Sequence, residues 1–356
     1  MKAGPILVAM SGGVDSAVVA AMLKKRGHEV IGVTLQIWQE SQTDPRHAGC
    51  CSLGAVEDAR RVARLLDIPH YVLNYKDRFR QTVIENFIEE YAAGRTPNPC
   101  VQCNKQVKFD SLMDSMRELG CTKLATGHYA RIRQDKATGR FRLMRSRGGK
   151  DQSYVLYMLD QATLSQVMFP LGELPGKTET RQMARELGLP VADKPDSQEI
   201  CFVNEAGGYS EFLKKERPEM FEKGELVDST GRRMGEHEGV AGFTIGQRKG
   251  LGLTTGTPMF VIKLEPKENR VVVGESADLH QHEVLVQDVF WSQPITEATT
   301  VSAKIRYNMP AQIAKIYPGE MTKLIFKKPV RAITPGQIAV AYRGETLVAG
   351  GTIWKS

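Results

Sequence analysis

The stretch from Pro5 to Lys25 places the strongest constraint on how this chain can fold. It begins with five apolar residues, Ile6 to Met10, which have the length and character of a buried parallel strand. The hexapeptide Ser11 to Ser16 follows, and Ala17 to Leu23 continues as an apolar helix that we expect to end near Gly27. A glycine-rich turn between a strand and a helix presents backbone amides that bind anions. The stretch therefore predicts a phosphate site.

The side chains of this turn fit a nucleotide accompanied by Mg²⁺. Ser11 and Ser16 add hydroxyl donors, and the carboxylate of Asp15 suits the metal ion. The spacing differs from a Walker A loop, because no lysine follows the glycines, and from the dinucleotide fingerprint G-x-G-x-x-G. The hexapeptide SGGVDS resembles the loop of the ATP-pyrophosphatase superfamily, whose members cleave ATP between the α- and β-phosphates. The alternative is an ordinary Gly/Ser turn in a sheet that binds no nucleotide.

Length and composition limit the class of protein. A chain of 356 residues is long enough for two or three domains with cores of their own. It has no run of about 18 apolar residues and no secretory signal, so we expect a cytoplasmic protein that does not cross a membrane. The formal charge of +7 and the pI near 9.0 favour a polyanionic partner, although an excess of this size also serves solubility alone.

Strand and helix patterns alternate through the first third of the chain. Apolar runs at 30–35, 71–73 and 123–126 predict further strands, and helical patterns lie between them. This order predicts a parallel sheet covered on both faces, with the ligand site at the carboxyl ends of its strands and Leu35 near the nucleotide base. The segment 36–54 fits no regular period and predicts a long loop.

The later segments are more varied. Residues 131–133 and 141–144 predict a hairpin, Ile200–Val203 predicts a short strand, and 207–252 predicts a linking domain with little core. From Pro258 onward, seven short apolar runs indicate a small barrel or sandwich. Its basic residues, interleaved with Tyr307, Tyr317 and Tyr342, suit RNA, or else form a solvated outer face.

The predicted fold class is α/β. We expect a parallel-sheet nucleotide-binding domain, resembling the adenine nucleotide alpha hydrolases, at 1–205. A small central domain that contacts RNA is expected at 206–275, and a C-terminal β-barrel at 276–356.

The cysteines indicate thiol or metal chemistry, because a long chain without a secretory signal has no need of a disulfide framework. Cys100 and Cys103 form a C-x-x-C pair before a helix that we expect to open at about Asn104, whose amino-terminal dipole would lower the pKa of a nearby thiol. Structural zinc lacks a second spaced pair, since Cys50 and Cys51 are adjacent. Inert buried thiols are the other alternative, and Cys121 fits that description.

Eight motifs together resemble those of the tRNA-uridine 2-sulfurtransferase family. They occur in the family's order and span nearly the whole chain, which makes the resemblance stronger than any single motif. They are SGGVDS at 11–16, GCCS at 49–52, TPNPCVQCN at 96–104, ATGHY at 125–129, KDQSY at 150–154, DSQEICF at 196–202, FTIGQR at 243–248 and TPGQ at 334–337.

The resemblance implies a reaction that consumes ATP, with Mg²⁺, and modifies the wobble uridine in the anticodon loop of a tRNA. Adenylation turns the uridine 2-oxygen into a leaving group, and Cys201 receives sulfur as a persulfide from a carrier protein or a cysteine desulfurase. Cys103 then resolves the transfer, leaving a transient Cys103–Cys201 disulfide that a reductant opens. The uridine must be extruded to reach the site. We expect the protein to act as a monomer.

The resemblance also implies which residues form each site. One of them, His128, is an expected tRNA contact, but it is equally well interpreted as a neutral histidine satisfied by the backbone at a strand end. The expected ATP contacts are Ala9, Met10, Ser11, Gly12, Gly13, Val14, Asp15, Ser16, Leu35 and Gly127. The expected contacts of the target base are Asn98, Pro99 and Cys100, and those of tRNA are His128, Lys150, Asp151, Gln152, Arg306, Tyr307 and Gln337.

One position departs from the family pattern. Many members carry an aspartate, a candidate general acid/base, where this chain has Cys100. Cys100, a water or another group would then have to move the proton. The substitution also leaves Cys100, Cys103 and Cys201 as three thiols able to hold an oxygen-sensitive iron–sulfur cluster, which is a minority hypothesis.

Two rival functions remain open from the sequence. An ATP-dependent ligase that adenylates a small carboxylate would use the same loop without needing Cys103 and Cys201. A non-catalytic tRNA-binding protein with a vestigial loop would not need Asp15.

Overall fold

A computed structural model describes residues 4–38, 53–196, 200–204 and 206–355. The chain divides into two compact units, the first formed by 1–83, 100–205 and 345–347 and the second by 84–99, 206–344 and 348–356. In the described parts, no helix has the length and apolar character needed to cross a membrane. The expected loop at 36–54, with Cys50 and Cys51, lies mostly outside the described residues, as do residues 197–199 of the DSQEICF motif.

The strands and α-helices are numbered along the chain. The strands are β1 Ile6–Ala9, β2 Val30–Gln36, β3 His70–Asn74, β4 Lys123–Ala125, β5 Ala130–Gln134, β6 Phe141–Arg145, β7 Val167–Met168, β8 Gly224–Val227, β9 Arg233–His237, β10 Phe260–Glu265, β11 Arg270–Gly274, β12 His280–Trp291, β13 Thr299–Lys304, β14 Gln312–Tyr317, β15 Thr322–Arg331, β16 Ile338–Arg343 and β17 Thr346–Lys355. The helices are α1 Val14–Lys25, α2 Leu53–Leu65, α3 Lys76–Phe79, α4 Glu85–Ala92, α5 Pro99–Cys103, α6 Asp110–Glu118, α7 Gln161–Gln166, α8 Lys177–Glu186, α9 Cys201–Asn204 and α10 Tyr209–Glu216.

The first unit contains the predicted parallel sheet. Its strands lie in the order β3-β2-β1-β4-β7, and the pairs β1–β2, β1–β4, β2–β3 and β4–β7 are all parallel. The chain moves outward in one direction through β2 and β3, and then returns to the other side of β1 with β4. This reversal opens a crevice between the carboxyl ends of β1 and β4, the place where α/β sheets bind ligands.

The apolar character of the amino-terminal stretch explains its position. Leu7 and Val8 of β1 are fully buried, and nearly every residue of α1 from Val14 to Leu23 is buried as well. A helix that is apolar on all sides requires neighbours on all sides, which it finds in the sheet and in α8. The phosphate loop is thus built on the best-packed part of the unit.

The predicted hairpin is confirmed as β5 paired with β6, but the predicted strand at Ile200–Val203 is wrong. Residues 201–204 form the short helix α9, with Phe202 and Val203 buried. A four-residue apolar run has no period that separates a strand from a helix. Phe202 packs edge-on against Phe79 at 5.8 Å, so burial of this ring determines the position of the segment.

The helix expected to open at about Asn104 begins five residues earlier. Helix α5 starts at Pro99, a residue favoured at the first helical position because its missing N–H would be unpaired there anyway. A π-helical segment, Asn104–Phe109, continues directly into α6. Cys103 therefore lies inside a continuous helical run. The helix amino terminus that we expected beside it, and that would lower the pKa of its thiol, is not at that position.

Residues 206–275 have more core than the sequence predicted. Strands β10, β11, β8 and β9 form a sheet in that order, over a core that includes Leu226, Phe243 and Val261. The runs at 260–262 and 271–273 belong to this sheet, as the predicted domain bounds of 206–275 require, although the strand pattern from Pro258 onward grouped them with the barrel. Their partners, β8 and β9, lie in a glycine-rich, charged segment whose pattern is weak.

The C-terminal strands form a closed barrel. In residues 280–355, all of them described, the antiparallel order is β12-β15-β14-β13-β16-β17, and β17 pairs back to β12. Side chains alternate, so that Ala314 and Ile316 face the core while Ile313, Lys315 and Tyr317 face outward. The barrel prediction is confirmed, but Tyr342 is fully buried and does not form part of an exposed aromatic surface.

We predict that Gly12→Ala destabilises the protein more than Gly27→Ala does. Both glycines have positive φ, +67° and +81°, but a Cβ at Gly12 would lie 2.0 Å from the carbonyl oxygen of Ala55, whereas nothing lies within 4 Å of a Cβ at Gly27. Backbone strain alone costs about 1 kcal/mol in Gly27→Ala, and the added clash should raise the cost to about 2–4 kcal/mol in Gly12→Ala. Chemical denaturation measures both, and equal losses would contradict the geometry.

Candidate functional site

The turn at 11–16 is held by its own serines. The backbone N–H of Ser11 donates to Ser16 Oγ at 3.1 Å, and Ser16 Oγ donates to the carbonyl of Gly13 at 3.2 Å. Behind the turn, Lys194 Nζ donates to the carbonyl of Gly12 at 3.1 Å and pairs with Asp58 at 2.7 Å. Gly13 precedes the first residue of α1 and has no side chain to cap it. The turn is therefore fixed from within and from behind, with the start of α1 directed at the crevice.

The turn that follows β4 touches the phosphate loop. A Cβ on Gly127 would lie 2.9 Å from the backbone nitrogen of Ser16 and 3.0 Å from Asp15, so only glycine permits this approach. The two turns at the carboxyl ends of β1 and β4 consequently form one continuous wall.

A cleft of about 200 Å³ lies against this wall, entirely within the first unit. Its lining includes the apolar side chains of Val33, Leu35 and Phe109 and the polar side chains of Asp15 and Ser16. Such a mixed lining suits a ligand that has both a flat base and phosphates. The complete lining is Ala9, Met10, Ser11, Asp15, Ser16, Val33, Leu35, Ile37, Lys108, Phe109, Leu112, Thr126, Gly127, His128 and Gln152.

A closed ring of four charges lies at the start of α1. Lys177 Nζ is 2.7 Å from Asp15 Oδ1 and 2.6 Å from Asp196 Oδ1. Lys150 Nζ is 3.4 Å from Asp15 Oδ2 and 2.9 Å from Asp196 Oδ2. Each ammonium thus bridges the same two carboxylates. We call this set, Asp15, Lys150, Lys177 and Asp196, the charge ring.

The charge ring stabilises the ionised forms of Asp196 and Lys150. Burial acts to raise the pKa of Asp196, but hydrogen bonds from Lys177 and Lys150 outweigh it and leave the pKa below its usual value. Burial likewise acts to lower the pKa of Lys150, and its pairing with Asp196 and Asp15 leaves it raised. These two groups therefore remain charged in the neutral range.

Tyr129 connects the charge ring to α8. Its hydroxyl donates to Asp15 Oδ1 at 2.7 Å and lies 2.8 Å from Thr180 Oγ1. Burial and the neighbouring Asp15 charge raise the pKa of this phenol, so it stays protonated and remains a donor. The Lys150 ammonium also lies 4.9 Å from the centre of the Tyr129 ring.

His128 lies in the cleft wall as a neutral imidazole. Burial, with the charges of Lys108 and Lys150, lowers its pKa to about 3. Its ring stacks on Phe109 at 6.0 Å, and Nδ1 lies 2.8 Å from the hydroxyl of Thr126. These contacts agree with the neutral histidine at a strand end, although a side-chain hydroxyl and not the backbone satisfies the ring.

Cys103 and Cys201 belong to the same unit. Cys103 is buried, Cys201 is half-buried at the start of α9, and Cys100 is exposed. Phe202, next to Cys201, packs against Phe79 at the end of α3, and α3 contacts the π-helical segment that follows Cys103. Phe79 therefore links the two segments that carry the thiols.

A second group of motif residues meets in the second unit. Gln337 Nε2 donates to the carbonyls of Thr96 and Pro97, both at 3.1 Å, directly before Asn98 and Pro99. A Cβ on Gly336 would lie 3.0 Å from Thr96. The TPGQ motif thus holds the backbone that leads into the expected base-contacting residues.

The expected tRNA contacts are distributed over both units. In the first, Lys150 belongs to the charge ring and Gln152 Oε1 accepts from the backbone of Tyr129 at 3.0 Å. Asp151 accepts from the backbone and side chain of Ser153, both at 3.1 Å. In the second, Arg306 donates to the carbonyl of Ala332 at 2.8 Å and to the Thr334 hydroxyl at 2.7 Å, and Lys304 lies over the Tyr307 ring at 5.5 Å.

The described residues do not form a protein-only metal centre. No group of three or more His, Cys, Asp or Glu side chains in this part of the chain is placed to hold a metal ion, so Cys100, Cys103 and Cys201 do not fit an iron–sulfur cluster here. Asp15 and Asp196 lie close together at the phosphate loop. Two carboxylates fit Mg²⁺ that shares its remaining positions with substrate phosphates and water.

Sequence reasoning missed several residues of this site. Lys177 and Arg181 lie on α8, about 160 residues from the loop that they approach, and carried no motif. Phe109 was assigned only to the apolar face of a helix, and the π-helical segment turns it, with Lys108, toward the cleft. The local sequence signal for Lys177 was its position directly after a glycine, at the start of a helix.

Comparison with known proteins gives the same assignment along the whole chain. Three family models match in succession, described as the tRNA methyl transferase HUP domain at 4–205, the tRNA methyl transferase PRC-barrel domain at 210–275 and the aminomethyltransferase beta-barrel domain at 281–353. The tRNA-specific 2-thiouridylase MnmA of Moorella thermoacetica is 49% identical over 354 residues, 98% of each chain. That of Clostridioides difficile is 47% identical over 358 residues, 99% of this chain and 98% of its own.

The chain belongs to the tRNA-specific 2-thiouridylase family. The relative from Heliobacterium modesticaldum, 49% identical over 98% of this chain and 92% of its own, carries the same name. The descriptions of the first two family models mention a tRNA methyl transferase. The relatives that are nearly half identical over the full length are named 2-thiouridylases, and this is the more specific finding. The recognition made from the eight motifs is confirmed.

We predict that His128 does not titrate between pH 5 and pH 8. Its lowered pKa of about 3 keeps the folded protein's imidazole neutral, while the unfolded chain takes up this proton near pH 6.5. The linked stability is therefore lost as the pH falls below 6.5. Histidine NMR signals followed with pH, with His128→Gln to assign the resonance, test this. A midpoint near 6.5 for His128 would contradict it.

Proposed function

We propose that this enzyme of the tRNA-specific 2-thiouridylase family transfers sulfur to carbon 2 of the wobble uridine of tRNA, using ATP. The observation that supports this most is the nucleotide cleft at the β1/β4 crevice, in the same unit as Cys103 and Cys201. A ligase acting on a small carboxylate would have no use for the two thiols. Names of full-length relatives support the same reaction.

ATP binding is the first step. The base packs against Leu35 and Phe109, which line the cleft, and the phosphates lie on the SGGVDS turn and the start of α1. Mg²⁺, when bound, neutralises charge on the phosphates, and Asp15 and Asp196 would hold it. Gly127 contributes by letting the wall approach the phosphate loop closely.

Adenylation activates the uridine. The 2-oxygen attacks the α-phosphorus, the bond between the α-phosphorus and the bridging oxygen breaks, and the electron pair leaves with pyrophosphate. The amino terminus of α1 and the lysines near it stabilise the negative charge that develops. The 2-oxygen, a poor leaving group in uridine, is now part of AMP and departs easily.

Sulfur transfer follows in two displacements. The terminal sulfur of a Cys201 persulfide attacks carbon 2 and AMP leaves, so that Cys201 is joined to the base through two sulfurs. The Cys103 thiolate then attacks the Cys201 sulfur, forming the Cys103–Cys201 disulfide and leaving 2-thiouridine. An external dithiol reduces the disulfide, and a protein persulfide reloads Cys201.

Recognition of tRNA is proposed for both units. Asn98, Pro99 and Cys100 receive the extruded base, on a segment whose preceding backbone Gln337 holds. Lys150, Asp151, Gln152, His128, Arg306 and Tyr307 are the proposed tRNA contacts. The outward lysines of β14 and β15 add phosphate contacts on the barrel.

We predict that Cys201→Ser abolishes thiolation and leaves ATP and tRNA binding intact, because only the sulfur-carrying atom is lost. Nucleoside mass spectrometry of tRNA from cells whose sole copy is the variant measures 2-thiouridine. Cys121→Ser, which changes another cysteine outside the cleft, should leave the 2-thiouridine level within about twofold. Any 2-thiouridine made by Cys201→Ser would refute the assignment.

We also predict that Cys103→Ser stops the reaction one step later. Without the Cys103 thiolate, the base stays joined to Cys201 through two sulfurs, so a covalent protein–tRNA adduct accumulates. A denaturing gel shows the adduct, and added dithiol should release 2-thiouridine from it. If, in a single turnover without added dithiol, the persulfide-loaded variant released 2-thiouridine at the parent rate, Cys103 would not be the resolving thiol.

A further inference from the structure

The charge ring has features that a purely structural ion-pair cluster would not need. Its four side chains are between 20% and 26% exposed, so it is partly open to solvent and is not sealed in the core. The junction of α1 and α8 is already formed by buried apolar residues such as Val18 and Ala184. Tyr129 joins Asp15 to Thr180 of α8 independently.

Lys177 occupies a specific position in this ring. It is the first residue of α8, directly after Gly176, and its ammonium reaches both carboxylates at 2.6–2.7 Å. Arg181, one turn later on the same helix, lies 3.5 Å from Asp196 and adds a further positive charge. The four charges of the ring sum to zero, so the ring and Arg181 together carry a net positive charge.

The position of Asp15 indicates which ligand this cation would meet. Asp15 lies in the first turn of α1 and lines the cleft, at the turn on which we propose that the phosphates of ATP bind. An ammonium bound to Asp15 is therefore next to those phosphates. Phosphate oxygens compete with carboxylates for the same donor, and Mg²⁺ competes with the ammonium for Asp15.

We propose that Lys177 is a pyrophosphate-binding residue: its ammonium pairs with the β- and γ-phosphates of ATP and retains the pyrophosphate that adenylation releases. Asp196 holds Lys177 in place while the nucleotide is absent. This inference rests on the proposed function and adds a residue that no motif marks. In adenylation the bridging oxygen takes the electron pair of the broken bond, and Lys177 stabilises the charge on that leaving group.

Calorimetric titration of the full-length protein with inorganic pyrophosphate, ATP and AMP, each with Mg²⁺, tests the proposal. Lys177→Ala should weaken pyrophosphate and ATP binding by about 10- to 100-fold, the usual effect of losing a charge-assisted hydrogen bond, and AMP binding by less than about twofold. Arg185→Ala is the matched control, since Arg185 lies on α8 and its guanidinium pairs with the exposed carboxylate of Asp193. It should leave all three affinities unchanged.

The ratio of pyrophosphate to AMP affinity separates the outcomes. Unchanged pyrophosphate binding in Lys177→Ala, or an equal loss for AMP and pyrophosphate, would overturn the proposal in favour of a structural brace. If Lys177→Ala does not fold, Lys177→Gln, which keeps a donor without the charge, is judged by the same ratio. A parent protein that binds neither ATP nor pyrophosphate would overturn the proposed function, and this inference with it.

Discussion

The site depends on the close approach of two turns, one after β1 and one after β4. Gly127 contacts the backbone of Asp15 and Ser16, and Gly12 contacts the carbonyl of Ala55, with no room for a Cβ in either place. The contact of Gly127 makes a single wall from elements that lie more than a hundred residues apart in sequence. The cleft, with its apolar residues Val33, Leu35 and Phe109, lies against that wall.

Ion pairs and hydrogen bonds to Asp15 add to the backbone contacts that hold the site together. Asp15 carries bonds from Tyr129, Lys177 and Lys150, so the first turn of α1 is tied to three other segments of the unit. Each of these bonds involves an ion or a buried hydroxyl, and each is strong because the surroundings are only partly hydrated. The site is thereby assembled before any ligand arrives, which lowers the entropy that ligand binding must oppose.

The sequence predicted the parts of the fold that local patterns determine. The strand, turn and helix at 5–25, the β5–β6 hairpin and the alternating strands of the barrel all have a readable period. Errors arose where tertiary packing decides. Residues 201–204 are helical, with Phe202 packed on Phe79, a contact that the four-residue apolar run could not reveal. Strands β10 and β11 pair in one sheet with β8 and β9, which lie in a charged, glycine-rich segment of weak pattern. Lys177 could not be placed, because its partners are distant in sequence.

The neutral imidazole in the cleft wall has a consequence for kinetics. With the pKa of His128 at about 3, this side chain changes no charge beside the nucleotide across the physiological range. Asp196 and Lys150, shifted further from neutrality by their mutual bonds, behave likewise. These three side chains therefore contribute no change of charge at the cleft across the physiological range, so a change of rate with pH in that range would have to come from other groups.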